Sequence, residues 1–350
     1  RSQKSRSKAS GNPSGYCCPA SEKKVLLPDR QRKEMIGRDT RIMIELKNEF
    51  MTSVDPNRGR SDSGRYAVLT KGRKSLLFDA EKREIIATLL YQIRAFCFDA
   101  EEKVLFSLEF NGTLHIYDLI EKKEVFEKKI GERGFAYEHG IAVRGNEIYC
   151  VGVGDKNTHF VRSCYHLDTD TTERELMPRT GGMVGTYKDM VICRHTLEEC
   201  DRFTLLRPDG SETAWREYNW SSSCYHSGAL YSKPDFRDDY SLNIDYLDGR
   251  EKRQILLPRK ANGFRFGRIS TFDSDGRYFA FVSMDSSPSG NRYVICYDMQ
   301  TKTVIYREEW KDLYSVAVLK NGFLYGGFTE SRFVGFEELG IMGKLSPLES

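Results

Sequence analysis

A chain of 350 residues with 39% hydrophobic residues can bury about three quarters of the surface its unfolded form exposes, so a stable core requires neither disulfides nor a structural metal. The net charge of +3 is small but unevenly placed, since residues 1–50 hold twelve Lys or Arg against six Asp or Glu. No run approaches the roughly 18 consecutive apolar residues of a membrane-spanning helix, so no such span is expected.

Residues 1–24, RSQKSRSKASGNPSGYCCPASEKK, combine Ser, Gly, Pro and Lys with almost no apolar content. Such a stretch cannot offset the entropy of ordering and reads as a disordered tail when free. Arg1, Lys4, Arg6, Lys8, Lys23 and Lys24 make it a basic arm. Cations spaced along a flexible chain suit phosphate backbones, where binding releases counterions. The arm's expected ligand is RNA or an acidic protein surface. The expected organisation is a basic, low-complexity arm over residues 1–40 and a folded body over 41–350. The alternation in Arg41-Ile-Met-Ile-Glu-Leu46 fits a strand that pairs into the first or last unit of that body and covers its edge. With Arg1 in first place and no apolar leader, the chain reads as processed or as part of something longer.

From residue 66 onward the pattern repeats. Seven times a short apolar strand runs into an acid and a polar turn, at Asp79, Asp118, Asp168, Asp209, Asp248, Asp298 and Glu337, with intervals of 39, 50, 41, 39, 50 and 39 residues. A four-stranded propeller blade consumes about 40–45 residues. The second unit is the clearest. It predicts strands at Ala95–Phe98, Val104–Leu108 and Thr113–Tyr117, a hairpin at Asn111-Gly112, and a fourth strand through Val125-Phe126. Twenty Phe and nineteen Tyr against three Trp, with 29 Gly, suit half-buried strands joined by tight turns.

Asn111-Gly-Thr-Leu-His-Ile-Tyr-Asp-Leu119 resembles the third-strand signature of the WD-repeat family, with Tyr in place of the usual Trp. In the sixth unit Phe272-Asp-Ser-Asp-Gly276 resembles that family's first turn, and Tyr293-Val-Ile-Cys-Tyr-Asp298 its third strand. The resemblance covers residues 66–340 and implies an all-β, seven-bladed β-propeller with an extended N-terminal arm. No Gly-His dipeptide precedes the first strand of any unit, so the family's buried His and Asp network is not expected here.

Motifs for chemistry are weak. The recurring acids read as turn residues that hydrogen-bond their own backbone, in preference to a ring of cation ligands. The six histidines lack the helical pair or Cys-x-x-Cys spacing of zinc sites, and Cys193, His195 and Cys200 form the nearest approach to a cluster. Asp168–Glu173 lacks the central Gly of a calcium loop, and Gly152–Asn157 lacks the ending of a phosphate loop and reads as a hairpin. No nucleophile elbow or zinc-hydrolase motif is present. The expectation is therefore no catalytic residue, no metal and no cofactor. Leu247-Asp-Gly-Arg250 resembles the ending by which some WD-repeat substrate receptors dock onto a cullin ligase adaptor, and turn chemistry explains it equally well.

Of nine cysteines most, including Cys97, Cys150, Cys193 and Cys296, fall inside apolar strands where a thiol behaves as a small hydrophobe, which points to a reducing, intracellular compartment. Two sequons, at Asn111 and Asn219, leave a secreted alternative open. The function expected is a non-catalytic interaction scaffold in a multi-protein or ribonucleoprotein assembly. Its alternatives are a substrate receptor of a ubiquitin ligase and a propeller hydrolase or lyase. Loops leading into the first strand of each blade converge at the channel mouth, which nominates Arg94, His139, Arg268 and Tyr314 as a partner-binding face.

Overall fold

The computed structural model describes residues 60–130, 140–153, 160–177, 181–198, 200–219, 223–226, 228–232, 241–256, 272–274, 276–284, 292–310, 313–327 and 331–339. All of them fall within one compact unit, Ile42–Ser350. The basic arm from Arg1 to Lys24 and the strand expected at residues 41–46 lie outside the described residues, as do His139 and Arg268.

Blade 1 contains β1 (Tyr66–Lys71), β2 (Lys74–Asp79) and β3 (Glu84–Leu89). Blade 2 contains β4 (Ile93–Phe98), β5 (Val104–Glu109), β6 (Thr113–Asp118) and β7 (Lys123–Lys129). Blade 3 is β8 (Ile141–Arg144), β9 (Glu147–Val153), β10 (Phe160–His166) and β11 (Thr171–Met177). Blade 4 is β12 (Gly181–Tyr187), β13 (Met190–Thr196), β14 (Cys200–Leu206) and β15 (Glu212–Asn219). Blade 5 is β16 (Ser223–His226), β17 (Ala229–Ser232), β18 (Ser241–Tyr246) and β19 (Arg253–Leu256). Blade 6 is β20 (Phe272–Ser274), β21 (Tyr278–Met284), β22 (Arg292–Asp298) and β23 (Thr303–Glu309). Blade 7 is β24 (Leu313–Leu319), β25 (Gly322–Gly327) and β26 (Ser331–Gly335), followed by the short helix α1 (Phe336–Leu339). Each sheet is an antiparallel meander, as the short turns between consecutive strands require. In blade 1 an isolated bridge from Arg60 to Ala67 lies on the side of β1 away from β2. That makes β1 the second strand of its blade.

The middle strand β25 is buried along its whole length, and β2 and β6 at five of six positions, because both faces of a sheet are covered by neighbouring blades. Alternate residues of β6 serve opposite neighbours. Leu114 and Ile116 enter the cluster shared with blade 3, and Tyr117 enters the one shared with blade 1. Further clusters join blades 3 and 4, 4 and 5, 5 and 6, and 6 and 7. The seventh packs Ala67, Leu69 and Phe78 of blade 1 on Leu319, Leu324 and Phe333 of blade 7. The order of blades therefore closes on itself.

The closing seam also carries polar ties. Lys320 N–H donates to the Gly64 carbonyl at 2.8 Å, Lys320 Nζ meets Glu81 at 2.6 Å, and Arg83 reaches both Glu337 and, at 3.1 Å, Glu338. Gly64 has φ of +73°, and a Cβ there would come within 2.9 Å of Lys320 N, so the approach of the two blades needs a glycine. The sequence pattern places Glu337 at the end of a strand, like the other six acids. It instead occupies α1 and anchors Arg83 across the seam.

The recurring aspartates are turn residues. Asp79 Oδ1 accepts the N–H groups of Glu81 (2.9 Å) and Lys82 (3.2 Å), Asp118 Oδ1 those of Ile120 and Glu121 (both 2.8 Å), and Asp298 Oδ1 those of Gln300 (2.8 Å) and Thr301 (3.4 Å). Each of these turns then passes through a left-handed residue, Arg83, Lys122 or Lys302. Asp79 and Asp298 add a second partner each, Arg65 and Arg277, both at 3.0 Å. Both arginines sit in a Gly-Arg-Tyr triplet that opens the second strand of its blade. Asp118 has no such cation among the described residues, which separates the value of the cap from that of the ion pair. Asp79→Ala is expected to cost about 2–4 kcal/mol, because it strips Arg65 of a buried partner, and Asp118→Ala about 1 kcal/mol. Equilibrium urea unfolding of the two variants measures the difference, and equal losses would remove the Arg65 pair from the account.

Candidate partner-binding face

In an antiparallel meander, the connection into the first strand and the hairpin between the second and third strands lie at the same end of the blade. Arg94 and Tyr314 both lie at that end, and they share a backbone feature the sequence does not announce. The register of β4 on β5 slips between Ile93 and Ala95, and that of β24 on β25 slips between Leu313 and Ser315. Arg94 and Tyr314 are therefore the extra residues of β-bulges in the innermost strands of blades 2 and 7. Val184 is the extra residue of a bulge in the innermost strand of blade 4 as well, but in the middle of that strand. A bulge interrupts the ladder and re-aims the side chain it carries, which is why bulges collect at barrel rims and beside binding sites.

The residues before the Arg94 and Tyr314 bulges are anchored by the preceding blade. Ile93 N–H donates to Ser75 Oγ of blade 1 at 2.9 Å. The Leu313 carbonyl accepts from Arg292 of blade 6 at 2.7 Å. The Arg94 guanidinium lies 5.6 Å from the centre of the Phe110 ring. Phe110, at the tip of the β5–β6 hairpin, is 45% exposed, and Leu90, in the connection leading into blade 2, is 78% exposed. Neither was expected from the sequence, although an apolar residue immediately before Asn111-Gly112 was the available signal. A guanidinium over an exposed aromatic ring presents a flat, cationic, partly apolar surface of the kind enriched in protein interfaces.

Beneath this rim lies a buried polar cluster. His115 on β6 is 3% exposed. It stacks on Tyr91 at 3.7 Å and holds Glu109 and Glu124 at 2.8 and 2.9 Å on its two ring nitrogens. Tyr91 Oη in turn meets Ser107 Oγ at 3.3 Å. Glu127 joins the cluster because Val125 bulges out of β7 and brings positions 124 and 127 to one face. The sequence reading expects no buried His and Asp network of the family type. The one found in blade 2 uses Tyr, Ser, His and Glu.

The remaining candidates have local partners. Arg250 Nε binds Asp248 at 2.6 Å within their own turn, and its guanidinium lies 4.1 Å from the Tyr246 ring, so the turn accounts for the Asp-Gly-Arg sequence. Asp168 caps Thr169 N–H at 2.9 Å. Asp170 accepts Tyr165 Oη at 2.6 Å and pairs with Lys128. Val153 pairs with Phe160, so the glycine-rich stretch after Val151 does join two antiparallel strands. Cys193 is buried, and His195 Nε2 turns to Glu212 at 2.6 Å and to Thr204 at 3.2 Å. Glu212 also takes Thr204 Oγ1 at 2.5 Å and Arg162 of blade 3 at 2.9 Å.

No family model matches the chain, and no curated protein is significantly similar to it. Solved structures do match in fold. The β-propeller domain of Cps50 (Swd1) from Myceliophteria thermophila is 10% identical with a TM-score of 0.56, over 84% of this chain and 99% of that one. The WD40 repeats of RRP9 are 12% identical with a TM-score of 0.52, over 83% and 96%. U3-55K is 11% identical with a TM-score of 0.52, over 85% and 99%. The fold is thus that of a WD-repeat-like β-propeller in divergent form.

The Glu212 node carries a pH dependence. Burial alone would raise this carboxyl, but hydrogen bonds from His195, Thr204 and Arg162 outweigh it and bring it down to about 2. A carboxyl held below its unfolded value stabilises the fold at higher pH, and that contribution disappears as pH falls from about 4.5 toward 2. Glu212→Gln should flatten this part of the acid-unfolding curve. A melting temperature that falls as steeply for the variant as for the wild type between pH 5 and pH 3 would contradict the assignment.

Proposed function

We propose that the protein is a non-catalytic interaction platform within a multi-subunit assembly, with a partner seated on the rim that carries Arg94 and Tyr314. The observation that carries this reading is the pair of bulged positions in the inner strands of blades 2 and 7. Each is held by the blade before it, and one sets a cation beside the exposed Phe110. A backbone held by two blades needs little ordering on binding, so little backbone entropy opposes complex formation. His139 and Arg268 belong to the same proposed face by their sequence positions. The matched propellers support the scaffold reading through shared fold. The arm from Arg1 to Lys24 would add a second, electrostatic attachment to RNA or to an acidic partner. No helix among the described residues is long and apolar enough to cross a membrane.

The double variant Arg94→Ala/Arg268→Ala, expressed as the tagged full chain, is expected to lose its stoichiometric co-purifying subunits while melting within a degree or two of wild type. Retention of the same subunits at the same yield would remove the face from consideration. For the arm, the probe is a single-stranded oligonucleotide titrated at several salt concentrations. Neutralising Arg1, Lys4, Arg6 and Lys8 should reduce the slope of log affinity against log salt by about 0.7 for each phosphate that the arm ceases to neutralise. An unchanged slope, with unchanged co-purification after nuclease treatment, would assign the arm to a protein surface.

A further inference from the structure

Cys164 and His166 stand two residues apart on β10, a spacing that turns both side chains to one face of the sheet. The register adds two more donors to that face. Glu147 of β9 lies directly opposite His166, and Glu173 of β11 directly opposite Cys164. The side chains converge as the register requires. Cys164 Sγ is 3.7 Å from His166 Nε2, and Glu173 Oε1 approaches the same nitrogen at 3.7 Å. One donor atom from each of Glu147, Cys164 and His166 lies within 4.8 Å of the others. Two ligands on a tetrahedral zinc ion, with bonds of about 2.0–2.3 Å, are themselves roughly 3.5 Å apart. The Cys164–His166 spacing is already that of one edge of such a shell.

We propose that Glu147, Cys164 and His166, with Glu173 as the fourth ligand, form a Zn²⁺ site on the rim of blade 3 that faces blade 4. The donor set of one thiolate, one imidazole and carboxylates is that of a borderline-soft divalent ion, in contrast to the all-oxygen shells of Mg²⁺ and Ca²⁺. The surroundings hold the ligands in place. Glu147 Oε2 accepts Arg144 Nε at 2.7 Å and Tyr149 Oη at 3.0 Å, while Oε1 has no hydrogen bond among the described residues. Outer partners of this kind orient a ligating carboxylate. Arg144 also donates to the Leu206 carbonyl of blade 4 at 3.4 Å, so the site borders the interface between the two blades. Burial pushes the Cys164 thiol up to about 11, so the metal-free protein holds it as S–H. Binding forms the Zn–S bond and releases that proton to solvent, with no change of oxidation state. An S–H···N hydrogen bond would account for the Cys164–His166 distance but not for carboxylates closing on the same pair from strands on both sides.

The test uses the full chain, treated with chelator and then titrated with Co²⁺ and with Zn²⁺ against a chromophoric competitor. A single Co²⁺ equivalent should produce the sulfur-to-cobalt charge-transfer band that only thiolate ligation gives, and Zn²⁺ should displace it. Cys164→Ser should abolish the band, and Cys164→Ser and His166→Gln should each weaken Zn²⁺ by at least about a hundredfold, more than loss of an outer partner costs. Cys200→Ser, on blade 4, should change nothing. His115→Gln is the second control, because the His115, Glu124 and Glu127 cluster also brings donors together but contains no sulfur. Absence of the band in wild type, its survival in Cys164→Ser, or equal Zn²⁺ affinity in the folded Cys164→Ser and wild-type proteins would overturn the site.

Discussion

The structure depends on burial between blades. A single meander of three or four short strands is apolar on both faces, and neither face can be hidden within its own sheet. Leu114 and Ile116 of β6 are covered only when blade 3 is present, and Tyr117 only when blade 1 is present. The same holds around the circle, ending where Phe78 packs on Phe333 at 5.3 Å between ring centres. Stability is therefore shared between neighbours, as in other repeat architectures, and the seam between blades 7 and 1 has to be as well made as any other interface. Gly64, Arg83 and Lys320 show how it is made, through one close backbone approach and ion pairs placed outside the apolar cluster.

Polar groups that enter these interfaces are matched across blades. Asp245 of blade 5 accepts Tyr218 Oη of blade 4 at 2.6 Å. Glu308 of blade 6 takes Tyr325 Oη at 2.5 Å and Arg332 at 2.7 Å from blade 7. The arrangement recurs because the outermost strand of one blade lies over the middle strands of the next. A buried carboxylate is costly unless its hydrogen bonds are met, so each match also selects the correct neighbour. Closing the ring and ordering its interfaces are one physical problem.

The bulges follow from the same geometry. Outer strands slip at Ile86, Val125, Trp215 and Ile305, and inner strands at Arg94, Val184 and Tyr314. In the outer strands the slip shifts which residues face the neighbouring blade, and in blade 2 it gathers two glutamates around His115. In the inner strands of blades 2 and 7 it falls at the end where the chain enters the blade, whereas in blade 4 Val184 packs against the cluster shared with blade 5.

The spacing of the acids determined the number of blades, because blades 1 to 6 end their third strand with a turn that begins at an aspartate and blade 7 keeps the interval. Asp79, Asp118 and Asp298 do what their positions in the sequence predicted. The strands of blade 2 were legible almost to the residue, since alternating contacts on two faces demand unbroken apolar runs between turn signals. The choice of Arg94 and Tyr314 came from their order along the chain. Their bulges, and the exposure of Phe110, depend on strand register, which no local pattern encodes. Glu337 kept the interval and lost the role, because the seam offered it Arg83. Cys164 and His166 escape rules built on helical and loop spacing, and only the pairing of β9, β10 and β11 sets them beside Glu147 and Glu173. Local periodicity specifies elements and their count, whereas the convergence of side chains from separate strands is decided when the sheets pair and pack.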